Sequence, residues 1–97
     1  SGATKKDYFE RKISSELESV MDGRKSIIIT ESNKTIPLHN DEDPGEYTSQ
    51  VIAPIIAEGD AIGAVLIVSK EQDNEFRELQ LKLVETAAAF LGKQMEQ

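Results

Sequence analysis

His39 is the chain's one histidine and the first place to look for proton chemistry. It stands two residues after Pro37 and just ahead of an acidic loop. A triad needs a hydroxyl or thiol nucleophile and an orienting carboxylate brought to one place. No serine or cysteine with such spacing can be argued around His39, so it reads as a surface residue. Asp41, Glu42, Asp43 and Glu46 raise a second question, that of a cation site. An EF-hand loop needs ligands at alternating positions, a central glycine and a distal glutamate. The spacing here is different, and a solvated loop accounts for it. The glycines form neither Gly-x-Gly-x-x-Gly nor Gly-Lys-Ser/Thr, so no phosphate cradle is encoded. The chain holds 18 acidic residues, which supply many carboxylate pairs by chance and single out none for acid–base work. Cysteine is absent, which excludes disulfides, thiolate metal sites and cysteine nucleophiles together. The chain is therefore read as non-enzymatic, without metal or cofactor.

The balance of charge narrows the partners. The net charge is −7, from 18 acidic and 11 basic residues. Binding DNA calls for clustered Lys and Arg, but the basic residues form only short pairs at Lys5–Lys6, Arg11–Lys12 and Arg24–Lys25. Direct contact with nucleic acid is not expected of this stretch, nor with an anionic membrane surface. No apolar run approaches the roughly 20 residues that span a bilayer. The absence of cysteine fits a reducing, intracellular setting. Of the 97 residues, 38% are hydrophobic, enough for a single core in one domain, 1–97.

The elements that would build such a core can be read in order. Apolar residues at Tyr8, Phe9, Ile13, Leu17, Val20 and Met21 predict a helix over Thr4–Asp22. Thr4 with Asp7 would cap it, and Asp22-Gly23 would stop it. Ser26–Thr30 is a short β-branched strand, and Glu31–Lys34 a turn. Thr35–His39 contains Pro37, which lacks an amide donor and confines it to an edge or an irregular loop. Tyr47–Ala57 and Ile62–Ser69 are the best strands, joined at Glu58-Gly59-Asp60 as a hairpin. Asn74–Gln97 is the closing helix, capped by Asp73 or Asn74.

The hairpin strands do not alternate. Ile62, Ala64, Leu66 and Val68 occupy one face, and Gly63, Val65 and Ile67 the other. A strand apolar on both faces belongs to a sheet covered above and below, as by one helix on each side. The closing helix carries two adjacent apolar stripes: Phe76, Leu79, Leu83, Ala87, Phe90, and Leu81, Val84, Ala88, Leu91, Met95. One sheet covers only part of so broad an arc. The surplus points to a dimer through this helix, with Leu81, Val84, Ala88, Leu91 and Met95 as its interface. A cavity between sheet and covering layer could hold a small molecule. Thr30, Thr48, Ser49 and Gln50 are the strand residues whose polar side chains could face it, with Thr30, Thr48 and Gln50 as candidate ligand contacts.

At the hairpin the sequence also resembles a known pattern. Ala53-Pro54-Ile55-Ile56-Ala57, the turn at Gly59, and Ile62-Gly63 followed by Ala64-Val65-Leu66-Ile67-Val68-Ser69 resemble the GAF domain. Lys5-Lys6-Asp7-Tyr8, Ile13-Ser14, Val84-Glu85-Thr86-Ala87-Ala88, Phe90-Leu91 and the terminal Gln94-Met95-Glu96-Gln97 are similar to the C-terminal domains of the stage V sporulation protein T family. The likeness is weakest between Ser32 and Tyr47. It implies an α+β fold, a GAF-like antiparallel sheet with helices packed on its faces. It implies a cytoplasmic, forespore transcription regulator of spore formation, activating or repressing, whose DNA contacts lie in an AbrB-like domain outside this stretch. It implies homo-oligomers, dimers through helices and tetramers of the full-length protein, with no effector identified. Two upstream strands usual in such domains are missing, which implies truncation at the N-terminus and a sheet that has an exposed edge or recruits a strand from a partner. A purely structural dimerisation module without ligand is the alternative.

Overall fold

A computed structural model describes residues 12–43, 45–72 and 78–96. Ser14 decides where the first described helix begins. Its hydroxyl accepts a hydrogen bond from the Leu17 amide at 3.0 Å and caps α1, Ser15–Gly23. The predicted helix does not run through the residues just before it. Ser14 donates its own amide to the Leu38 carbonyl at 3.0 Å, and Asn40 donates to the Lys12 carbonyl at 2.9 Å. Ile13 and His39 form an antiparallel bridge between them. Backbone committed to such pairing is extended and cannot continue a helical ladder. Tyr8, Phe9 and the Thr4–Asp7 pair lie outside the described residues.

The far end of α1 also departs from expectation. Arg24, not Gly23, takes the left-handed conformation (φ 59°), and its amide donates to the Met21 carbonyl. A non-glycine residue is uncommon there. The Arg24 side chain is anchored, donating to the Gly59 carbonyl from Nη2 at 2.9 Å and from Nε at 3.1 Å. The end of α1 is thus tied to the tip of the hairpin.

Three antiparallel strands follow: β1 (Ile27–Ile29), β2 (Ser49–Ala57) and β3 (Asp60–Ser69), in that order across the sheet. The fold is α+β, as read. The hairpin turn has two central residues, Glu58 and Gly59, both with positive φ (52° and 85°). That geometry matches the right-handed twist of the strands it joins, and Asp60 opens β3. Ile55 pairs with Gly63 but Ile56 pairs with Ala61, so Ile62 is a bulge residue without a cross-strand partner. The alternation resets there, and Ile62 is exposed. Beyond β3, no further strand pairs among the described residues.

β2 is the middle strand, and water reaches neither face along most of it. On one face Val51 and Ala53 pack with Val84 and Ala88 of α2, Glu78–Gln94. On the other, Ile52 packs with Leu17 of α1, Leu38 and Tyr47. The two-sided cover read from the hairpin is therefore present, one helix to a face. The predicted cap of the closing helix, Asp73 or Asn74, lies outside the described residues, as does Phe76. No helix among the described residues is long and apolar enough to cross a membrane.

The segment 35–39 is irregular, as Pro37 suggested, and Gln50 supplies the pairing that Pro37 denies it. The Ile36 amide donates to Gln50 Oε1 at 2.9 Å, and Gln50 Nε2 donates to the Ile36 carbonyl at 2.6 Å. The fully buried amide imitates one rung of a sheet and satisfies both backbone groups.

Gly92 gives a decisive test of this packing. In an exposed helix, Gly→Ala adds about 1 kcal/mol of stability. Here a Cβ would stand 2.2 Å from the Ile56 carbonyl oxygen, so backbone must shift. Gly92→Ala is expected to destabilise by roughly 1–3 kcal/mol in a denaturant titration. A rise in stability would contradict the close docking of α2 on β2.

Candidate functional site

The polar residues marked as ligand contacts are all occupied elsewhere or face water. Thr30 is exposed after the end of β1. Thr48 donates its hydroxyl to the carbonyls of Ser69 and Glu71, closing the open end of the hairpin. Gln50 is committed to Ile36. None of the three lines either of the clefts that flank the sheet.

The proposed interface residues divide. Val84 and Ala88 are 1% and 4% exposed, within the chain's own core, and half-buried Leu81 packs against the same cluster. A second chain cannot reach them, and Val84→Glu would bury a carboxylate rather than part a dimer. Leu91 and Met95 are exposed. The other stripe, Leu79, Leu83 and Phe90, is the outward one, at 66%, 54% and 62% exposure. At about 100° per residue these three lie within roughly 40° of one another, on the side away from Val84 and Ala88. The sequence showed two stripes but not which one the sheet would take. Gly92 carried that signal, because a glycine on the Val84–Ala88 side permits the closest approach to β2.

A cleft of about 320 Å³ opens between α1 and β3. Its walls are Leu17 and Met21 of α1, Ala64 and Leu66 of β3, and Ile13 and Leu38 from the extended segments. Among the described residues His39 is the single polar side chain in the lining. A smaller cleft of about 290 Å³ lies between β2 and α2, beside Pro54, Ala89 and Glu85.

What holds His39 is Glu42, a residue the sequence reading assigned to a solvated loop. Its side chain is only 9% exposed. Oε1 accepts from the Leu38 amide at 2.7 Å and the His39 amide at 3.3 Å. Oε2 accepts from the Tyr47 hydroxyl at 2.8 Å and lies 3.1 Å from His39 Nδ1. Burial raises the Glu42 pKa. The hydrogen bonds from the Leu38 amide, the His39 ring, the Tyr47 hydroxyl and the His39 amide outweigh it and bring the value down from 4.5 to about 2. The helical-looking i, i+3 spacing of His39 and Glu42 was the available signal. It was lost among three acidic neighbours, Asp41, Asp43 and Glu46.

Among the described residues no group of His, Cys, Asp or Glu could hold a metal ion. The arrangement is an antiparallel sheet between two helices, with an apolar cleft on one side and an apolar ridge on the other. Comparison with known proteins assigns it to a class, a domain of a transcription factor. The family described as Stage V sporulation protein T C-terminal, transcription factor, matches residues 1–96, and the chain belongs to that family. Stage V sporulation protein T of Bacillus subtilis (strain 168) is 48% identical over 99 residues, covering 100% of this chain and 52% of that protein. The chain thus spans about half the length of the curated relative it matches. The likeness to this family's C-terminal domains, read from the two ends of the sequence, is borne out.

The Glu42 clamp gives a pH dependence of defined sign. Because the folded pKa lies below the ordinary value, the carboxylate's contribution is full above about pH 4.5 and is lost as pH falls toward 2. A shift of that size corresponds to about 3 kcal/mol. Glu42→Gln is expected to cost roughly 2–3 kcal/mol at pH 7, the deficit closing as pH approaches 2, by urea titration across that range. A deficit independent of pH would contradict the clamp.

Proposed function

We propose that this chain is the regulatory and assembly half of a sporulation transcription regulator, which modulates DNA binding carried by another part of the protein. Three observations support the reading. The family is described as a transcription factor. The chain is strongly acidic, at −7, and lacks the basic cluster that DNA contact needs. Among the described residues the α1–β3 cleft is apolar with one placed polar group, the usual composition of a small-molecule site. The cleft carries the sensory part of the proposal. A small effector lodged there would bear on α1 and β3 at once, and through β2 on α2. Thermal-shift screening with a metabolite library, followed by amide NMR, is expected to return binders that move Leu38, Gly63 and Leu66. A library without any binder would remove sensing and leave the alternative, a purely structural dimerisation module.

The outward stripe of α2 favours assembly in either case. Leu79, Leu83 and Phe90 offer three large apolar side chains along one line of a helix, and a second copy presenting the same line would bury them. Homodimers through α2, and tetramers of the full-length protein, follow from this reading. The cytoplasm, within the forespore, is the setting that goes with it. The contact moves from the Val84 side of the helix to the Leu83 side. Leu83→Glu is expected to turn a dimer into a monomer in sedimentation velocity, while the unfolding free energy of the monomer changes by less than about 0.5 kcal/mol. A variant that sediments as the parent chain does would contradict α2 pairing.

A further inference from the structure

Among the described residues the α1–β3 cleft has one polar group in an apolar wall, and the state of that group defines what it recognises. Glu42 accepts four hydrogen bonds and is shielded from water, so it stands as a carboxylate that accepts and does not donate. The hydrogen between it and His39 therefore sits on Nδ1. In a neutral imidazole the other nitrogen, Nε2, then carries a lone pair. Among the described residues the His39 ring is held through Nδ1, and the ring itself lines the cleft. With the ring neutral, the cleft offers an acceptor among Ile13, Leu17, Met21, Leu38, Ala64 and Leu66.

We propose that this cleft takes a small, neutral, apolar molecule bearing one hydroxyl, an alcohol or a phenol, whose O–H donates to His39 Nε2. The inference rests on the reading of the cleft as a ligand site. Its volume, about 320 Å³, stands at the small end of ligand pockets. A carboxylic acid is disfavoured, because its anion would meet a lone pair, the Glu42 carboxylate behind it and a chain of net charge −7. An ammonium would be drawn to that charge but would lose its hydration against apolar walls whose described residues supply no carboxylate. A neutral donor meets neither obstacle. The ring is positioned before any ligand arrives: its backbone pairs with Ile13, and its Nδ1 is held by Glu42. Little ordering remains to be done on binding.

The probes are p-cresol and 4-methylanisole, matched in shape and differing in the donor, titrated into the 97-residue chain while amide and imidazole NMR signals are followed. p-Cresol is expected to move Leu38, Gly63, Leu66 and the His39 ring, and to bind about ten-fold more tightly than 4-methylanisole, the ratio set by one acceptor left unpaired. His39→Phe keeps a ring without the acceptor and is expected to bind the two equally. Equal binding of both probes by the parent chain overturns the donor assignment and leaves the cleft a ligand site. A preference that survives in His39→Phe overturns the role given to Nε2. Millimolar probes that leave the cleft signals unmoved overturn both the assignment and the cleft reading.

Discussion

The structure depends on one constraint: β2 must be kept from water on both faces. Val51 and Ile52 are neighbours in sequence and therefore point to opposite sides of the sheet, yet both are fully buried. One of them requires α2, the other α1 and the segment around Leu38 and Tyr47. Full burial of such a side chain is worth roughly 1.5–3 kcal/mol, so loss of either cover removes a large share of the stability of a small domain. The two helices never need to touch, because each is answerable to the same strand.

The polar devices all serve that arrangement. Gln50 sits on the α1 face of β2 and uses its amide to hold Ile36, which brings Leu38 under α1. Ser14 caps α1 and donates its hydroxyl to the Pro37 carbonyl, fastening the same segment from above. Glu42 closes the segment's far end through Leu38, His39 and Tyr47. At the hairpin tip Arg24 reaches Gly59, and Glu96 accepts from the Glu58 amide at 3.0 Å. Both helix ends therefore meet the turn that joins β2 to β3. A change on the cleft side has two routes to α2, the shared strand and the shared turn.

Much of this was legible in the residues. The absence of alternation in Ile62–Ser69 and the apolar run of β2 announced a sheet covered twice, and two helical patterns supplied the covers. The positive-φ turn was marked by Gly59, and Pro37 marked the segment that could not join a ladder. What escaped was decided by partners distant in sequence. Nothing local says that Ser14, midway along a helical pattern, will pair with Leu38 instead of continuing a helix. Nothing local says that Gln50 will spend its side chain on Ile36 and so be withdrawn from ligand binding. The two stripes of α2 were plain, but their assignment turned on the contact between Gly92 and Ile56. The hydroxyls and amides of strands drew attention as a site, while the group that lines the cleft, His39, gains its interest from a glutamate that looked like solvent-facing loop.

A strand shared by both cores couples the cleft face to α2. Native-state hydrogen exchange on a variant with a cavity on the cleft face, Leu17→Ala, tests it most directly. Deleting that buried side chain costs about 2–5 kcal/mol, and the whole loss is expected to appear alike in amides of α1, β2 and α2, including Val84 and Ala88. Loosening confined to α1, with α2 as protected as before, would show two covers that act independently and would contradict the coupling.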